Sequence, residues 1–128
     1  IQDEAGYIST EAMQWAAGEI GIKPLNLYEL VTFYPMLREE QPGKFVLKVC
    51  RTLSCAMAGG KKLHENLCNK LKLDPNAHGL QTTADGKFSI DFAECLASCG
   101  TGPVMMCNDD FYEAVDDAKA DKILGKCD

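Results

Sequence analysis

The sequence predicts an α/β or α+β domain behind a short helical segment, and three observations point to it. Residues 44–71 read as a strand, a loop and a helix, and residues 82–92 read as a hairpin. A short strand pair and a last helix follow, so the order is a helical piece and then β-α-β-β-β-α. The 128 residues are 46% hydrophobic and 25% charged, which suits one compact domain. A chain of that size buries roughly two thirds of its unfolded surface and stands without disulfides.

Ser9 is placed to cap a helix over 10–20, with Ala12, Met13, Ala16, Ala17 and Ile20 on one stripe and Gly21 at its end. Trp15 falls off that stripe, between Glu11 and Glu19 on the face that should be wet, which suits a contact with a partner or with sequence upstream. Asn26 with Glu29 predicts a second helix start, with Leu27, Leu30, Val31 and Tyr34 as its stripe and Pro35 as its stop. Residues 44–49 then read as a buried strand ending at Cys50, and 56–71 as one helix. Its stripe of Leu63, Leu67 and Leu71 continues through Ala56, Gly59 and Gly60, small enough to lie close on a sheet.

Asp85-Gly86 marks a hairpin turn between Thr82-Thr83 and a strand in which Phe88, Ile90 and Phe92 alternate. Pro103 leads into a short strand at 104–107, Asn108-Asp109-Asp110 turns it toward Phe111-Tyr112, and a helix at 117–124 buries Ala120, Ile123 and Leu124.

The net charge of -6 lies wholly in the second half: residues 1–64 carry 7 basic against 7 acidic side chains, and 65–128 carry 6 against 12. An acidic chain without a basic stripe offers nucleic acid no electrostatic footprint. No apolar run nears the roughly 20 residues of a membrane helix, and the acidic start is unlike a targeting peptide, so the chain reads as soluble and not secreted.

Seven cysteines carry the chemistry. Cys50 and Cys55 form C-x4-C directly after a strand, and Cys95 and Cys99 form C-x3-C directly after the hairpin strand. Cys68 and Cys107 fall within helical and strand patterns as buried small apolar residues, and Cys127 stands near the end with no assigned part. An odd count without an export signal argues against disulfides, and neither spacing is that of a C-x-x-C redox pair. A four-thiolate metal site remains. Intervals longer than a zinc knuckle suit the wider [2Fe-2S] cluster, with structural zinc as the alternative; His64 and His78 are not spaced for Rieske ligation.

Several stretches together resemble the 24-kDa subunit family of NADH:quinone oxidoreductase. They are Gly6-Tyr7-Ile8, Thr32-Phe33-Tyr34, Pro42-Gly43-Lys44, Val49-Cys50-x-Thr52-x-x-Cys55, Thr83-x-Asp85-Gly86-x-Phe88, Glu94-Cys95-Leu96-x-x-Cys99, Pro103 and Asn108-Asp109. The resemblance implies an α/β, thioredoxin-like [2Fe-2S] ferredoxin domain over 41–128 and a helical region, truncated at its start, over 1–40. It implies Cys50, Cys55, Cys95 and Cys99 as ligands of one [2Fe-2S] cluster. The family's usual Gly-Ala between the second cysteine pair is Ala97-Ser98 here, and its usual Ala before Pro103 is Gly102, so loop conformation and hydrogen bonding to the cluster are expected to differ.

The implied role is electron transfer beside an NADH-oxidising flavoprotein subunit that carries the FMN and binds the NADH. This chain has no G-x-G-x-x-G turn after a strand, and Ala58-Gly59-Gly60 reads as close helix packing. The setting is a respiratory NADH dehydrogenase (complex I), in the cytoplasm peripheral to the inner membrane, or on the matrix side in mitochondria. The alternatives are the diaphorase-type subunit of an NAD-linked hydrogenase or formate dehydrogenase, and a zinc-stabilised binding module. Near the ligands, Lys48 and Arg51 oppose Asp91 and Glu94, and Arg51 is expected either to face the cluster or to pair with Glu94.

Overall fold

A computed structural model describes residues 1–128 as two compact units, Ile1–Pro42 and Gly43–Asp128, where length alone favours one. The first unit closes on itself. Helix α1 (Gln2–Ala5) sends the Gln2 side chain to Met36 O (2.9 Å) and receives Arg38 N on Gln2 Oε1 (2.9 Å), while Ile8 N bonds Arg38 O.

Helix α2 (Thr10–Ile20) has the expected ends: the Ser9 hydroxyl accepts from Ala12 N at 3.1 Å and Gly21 closes the helix. Its buried residues are Met13 and Ala17, whereas Ile20, the last helical residue of the predicted stripe, is 63% exposed. Trp15 is exposed, as its place on the wheel requires. Helix α3 (Pro24–Phe33) starts earlier than the Asn26 signal suggests, with Lys23 as N-cap. Proline fits the first helical position, where its missing N–H costs nothing, and this outweighs the Asn26 side chain. Val31 is buried but Leu30 and Tyr34 are not. Tyr34 is extended (φ -89, ψ 115), the conformation a residue before proline must take.

The second unit is built on a five-stranded mixed sheet in the order β2-β3-β1-β4-β5. The strands are β1 (Phe45–Cys50), β2 (Gln81–Thr82), β3 (Phe88–Ala93), β4 (Met105–Cys107) and β5 (Asp110–Tyr112). Strands β2 and β3 form the expected hairpin. Strands β1 and β3 pair in parallel, from Phe45 against Phe88 to Cys50 against Ala93. A parallel pair needs a crossover, here helices α4 (Leu53–Met57) and α5 (Gly60–Leu71).

The single helix read over 56–71 is therefore two. Gly59, at φ 103, breaks it in a conformation that side chains resist, and the small residues at 58–60 mark this break as well as a close approach. Helix α6 (Asp117–Gly125), capped by the Asp116 side chain on Lys119 N at 2.7 Å, completes the unit. Leu63, Leu67 and Cys68 of α5 and Ala120 and Ile123 of α6 join Leu47, Val49, Ile90 and Met105 in one core. Asn108 explains its place in the sequence pattern: its side-chain oxygen accepts from Val46 N (2.8 Å) and its amide donates to Lys44 O (3.2 Å), tying the β4–β5 turn to β1.

His64, 3% exposed, is stacked on Phe92 with ring centroids 3.9 Å apart. Burial holds its pKa below the ordinary 6.5, against the opposing pull of Asp91. The unfolded chain therefore takes up this proton first as pH falls, so the contribution of neutral His64 is intact above about 6.5 and is lost below it. Urea unfolding at pH 7.5 and 5.5 should show a lower midpoint at the acid value, and a smaller difference in His64→Gln.

Candidate iron-sulfur site

Because β1 and β3 run in parallel and Cys50 lies opposite Ala93, the loops that follow them leave the same end of the sheet. The first carries Cys55 on α4. The second carries Cys95 and Cys99, two and six residues beyond Ala93. Bonds from Arg51 N to Ala93 O and from Cys50 N to Val104 O, each 3.0 Å, fix where the loops begin.

The four thiols stand as two pairs. Cys95 Sγ and Cys99 Sγ are 3.6 Å apart and exposed; Cys50 and Cys55, each 1% exposed, pack together under Val104 and Leu96. Two sulfurs on one tetrahedral metal, at roughly 2.3 Å from it, stand about 3.7 Å from each other. The Cys95–Cys99 spacing is of that size. Two such pairs are what a [2Fe-2S] cluster needs, with two thiolates on each of two metals.

Within each pair the two thiols differ. Burial raises the Cys50 pKa, but hydrogen bonds from the Thr52 hydroxyl, 3.3 Å away, and from the Leu96 and Thr52 backbone bring it below the ordinary value; burial and its neighbour Cys50 raise Cys55. Cys95 is lowered first by Ala97 N–H, which donates to Cys95 Sγ at 3.4 Å, and Cys99 is raised by its neighbour Cys95. Each pair thus holds one sulfur whose thiolate is favoured over its partner's, and N–H groups aimed at sulfur favour a reduced cluster.

Two glycines shape the surroundings. A Cβ on Gly60 would stand 2.8 Å from Cys50 O and 2.9 Å from Cys55 O; one on Gly102 would stand 3.5 Å from Cys55 Sγ. At the two positions where the sequence departs from the family's usual residues, Ala97 takes the left-handed conformation (φ 59) and Gly102 lies beside Cys55.

Of the two orientations open to Arg51, the structure has the ion pair: Arg51 Nε donates to Glu94 Oε1 at 3.0 Å, and both side chains are more than half exposed. The pair links the two thiol loops at the surface, where water screens it. Arg51→Gln should therefore change the reduction midpoint little, which a redox titration followed by EPR would check. The remaining cysteines lie elsewhere. Cys68 is in α5 with Sγ 3.7 Å from His64 Nδ1. Cys127, given no part by the sequence, is buried with Sγ 3.8 Å from Cys107 Sγ.

The family described as thioredoxin-like [2Fe-2S] ferredoxin matches residues 1–128, and the chain belongs to it. Among its relatives, NADH-quinone oxidoreductase subunit 2 of Thermus thermophilus is 36% identical over 125 residues, which is 97% of this chain and 67% of that one. The corresponding NADH-quinone oxidoreductase protein of Aquifex aeolicus is 35% identical over 98% of this chain and 76% of its own length. Among solved structures, an NAD+-reducing [NiFe]-hydrogenase in the air-oxidized state superposes with a TM-score of 0.75 at 19% identity, over 91% of this chain and 20% of that one, a likeness of fold.

Proposed function

We propose that this chain is the electron-transfer iron-sulfur subunit of an NADH:quinone oxidoreductase, with one [2Fe-2S] cluster on Cys50, Cys55, Cys95 and Cys99. The observation that carries the reading is the placing of two thiol pairs at the common end of two parallel strands, in a chain related at 36% identity to a subunit of that enzyme. The cluster, when bound, takes and gives up one electron at a time. The chain's own part is to hold four ionised thiolates, exclude water from Cys50 and Cys55 with Val104 and Leu96, and direct the Ala97 N–H at Cys95.

The electrons come from FMN on an NADH-oxidising flavoprotein partner, and this subunit performs no catalysis itself. The face for that partner is the one where Cys95 and Cys99 reach the surface and where Leu53 (76%) and Met57 (81%) of α4 stand exposed on either side of Cys55. No helix is long and apolar enough to cross a membrane, and attachment to one is through the assembly. The relatives favour this reading over the hydrogenase-type subunit, to which the likeness is one of fold.

The test is to assemble the cluster-bearing chain with an NADH-oxidising flavoprotein subunit of a related enzyme and add NADH under anaerobic conditions. An EPR signal of a reduced [2Fe-2S] cluster should appear with the flavoprotein and not without it. Leu53→Asp with Met57→Asp should weaken association while the cluster stays bound. A cluster that dithionite reduces and NADH with the flavoprotein does not would contradict the assignment.

A further inference from the structure

The second thiol loop contains a strained residue and, next to it, an anchor. Ala97 lies at φ 59, a region that an alanine enters only at a cost. Its N–H reaches back to Cys95 Sγ at 3.4 Å, and the left-handed turn at its Cα sends the chain on to Cys99, whose Sγ stands 3.6 Å from that of Cys95. On the far side of Ala97, the hydroxyls of Ser98 and Thr101, which flank Cys99, converge on a single carboxylate oxygen. Both donate to Glu113 Oε1, Thr101 at 2.7 Å, and they stand 2.6 Å from each other.

Glu113 is itself fixed. Its carbonyl accepts from Lys119 Nζ, and the residues after it bond the loop's far end, Ala114 N to Thr101 O (2.7 Å) and Val115 N to Pro103 O (3.0 Å), with Val115 buried.

We propose that Glu113 is a positioning residue for the cluster: by holding Ser98 and Thr101, on either side of Cys99, it keeps the left-handed turn at Ala97 that brings Cys99 Sγ beside Cys95 Sγ. The inference rests on the reading that Cys95 and Cys99 are ligands. Nothing in it needs Glu113 to touch the cluster. Its carboxylate oxygen acts as an acceptor, so an amide oxygen in the same place should serve nearly as well, whereas a methyl group should not.

The test compares Glu113→Gln with Glu113→Ala, which carry equal charge, in protein purified with its cluster. Loss of visible absorbance in excess iron chelator should be roughly three- to tenfold faster for Glu113→Ala than for Glu113→Gln, the effect of two lost hydrogen bonds near water. The midpoint should shift in Glu113→Ala and stay at the parent value in Glu113→Gln, because a displaced Cys99 changes the thiolate environment of the iron. Ala97→Gly added to Glu113→Ala should slow the chelation again, since glycine enters the left-handed conformation without the strain that alanine meets there. Ser98→Ala, which leaves the 113–115 segment intact, should act in the same direction as Glu113→Ala with a smaller effect, and carries the test if Glu113→Ala does not fold.

Equal rates and midpoints for the alanine and glutamine variants, or no rescue by Ala97→Gly, would overturn the proposal while leaving the ligand assignment in place. A parent protein that takes up no iron would instead remove the reading on which it rests.

Discussion

Cys55→Ala and Cys99→Ala should each lose the visible colour or shed it within the time of purification, because each takes one of two thiolates from one metal of a [2Fe-2S] cluster. Cys68→Ala, Cys107→Ala and Cys127→Ala should keep it. These three are buried in the domain core, in a cluster separate from the one that holds Cys50 and Cys55, and burial pushes the Cys68 thiol up to about 11 and the Cys107 thiol up to about 12, which disfavours their thiolates. Each of these substitutions should cost about 1 kcal/mol of stability for one small buried group. Iron content measured beside the visible spectrum separates the two sets. Iron loss from Cys107→Ala equal to that from Cys99→Ala would defeat the assignment.

Gly60→Ala should show the next largest effect, with a sign opposite to helix propensity. Alanine in place of glycine inside a helix is ordinarily worth about 0.5–1 kcal/mol in favour of alanine. At Gly60 the added Cβ would meet the carbonyl oxygens of Cys50 and Cys55 at 2.8 and 2.9 Å, and both are backbone atoms, one at the end of β1 and one in α4, so a helix or the strand end must move. Overpacking of this kind typically costs about 1–3 kcal/mol, and here it also displaces two cluster ligands. Thermal unfolding should begin earlier and chelators should remove iron faster. Gly18→Ala is the control, since Gly18 lies inside α2 with nothing within 4 Å of its added Cβ, and the substitution should stabilise that helix.

The parts of the fold written in local chemistry were legible in the sequence. Ser9 and Gly21 delimit α2, Asp85-Gly86 makes the hairpin turn, and the alternation of Phe88, Ile90 and Phe92 gives β3. Where two local signals competed, the reading erred. Pro24 won over Asn26 at the start of α3, and Gly59 broke a helix whose apolar stripe runs on regardless.

The parallel pairing of β1 with β3 could not be read from either strand alone, because it depends on partners 43 positions apart, Phe45 with Phe88. That pairing is what brings the two cysteine loops together. The spacing of Cys50, Cys55, Cys95 and Cys99 therefore indicated a thiolate site before any geometry was known, and left its metal open. The Arg51–Glu94 pair is one of the two orientations open in the sequence, whereas the Ser98–Glu113 contact and the burial of Cys127 against Cys107 join residues distant in sequence and leave no periodic trace there.

The central claim is that four cysteines hold one two-iron cluster, and its most direct test is the metal and acid-labile sulfide content of the purified protein, read with its visible and EPR spectra. The predicted result is a reddish-brown protein with about two irons and two sulfides per chain and an EPR signal that appears on reduction. A colourless protein with stoichiometric zinc would contradict it.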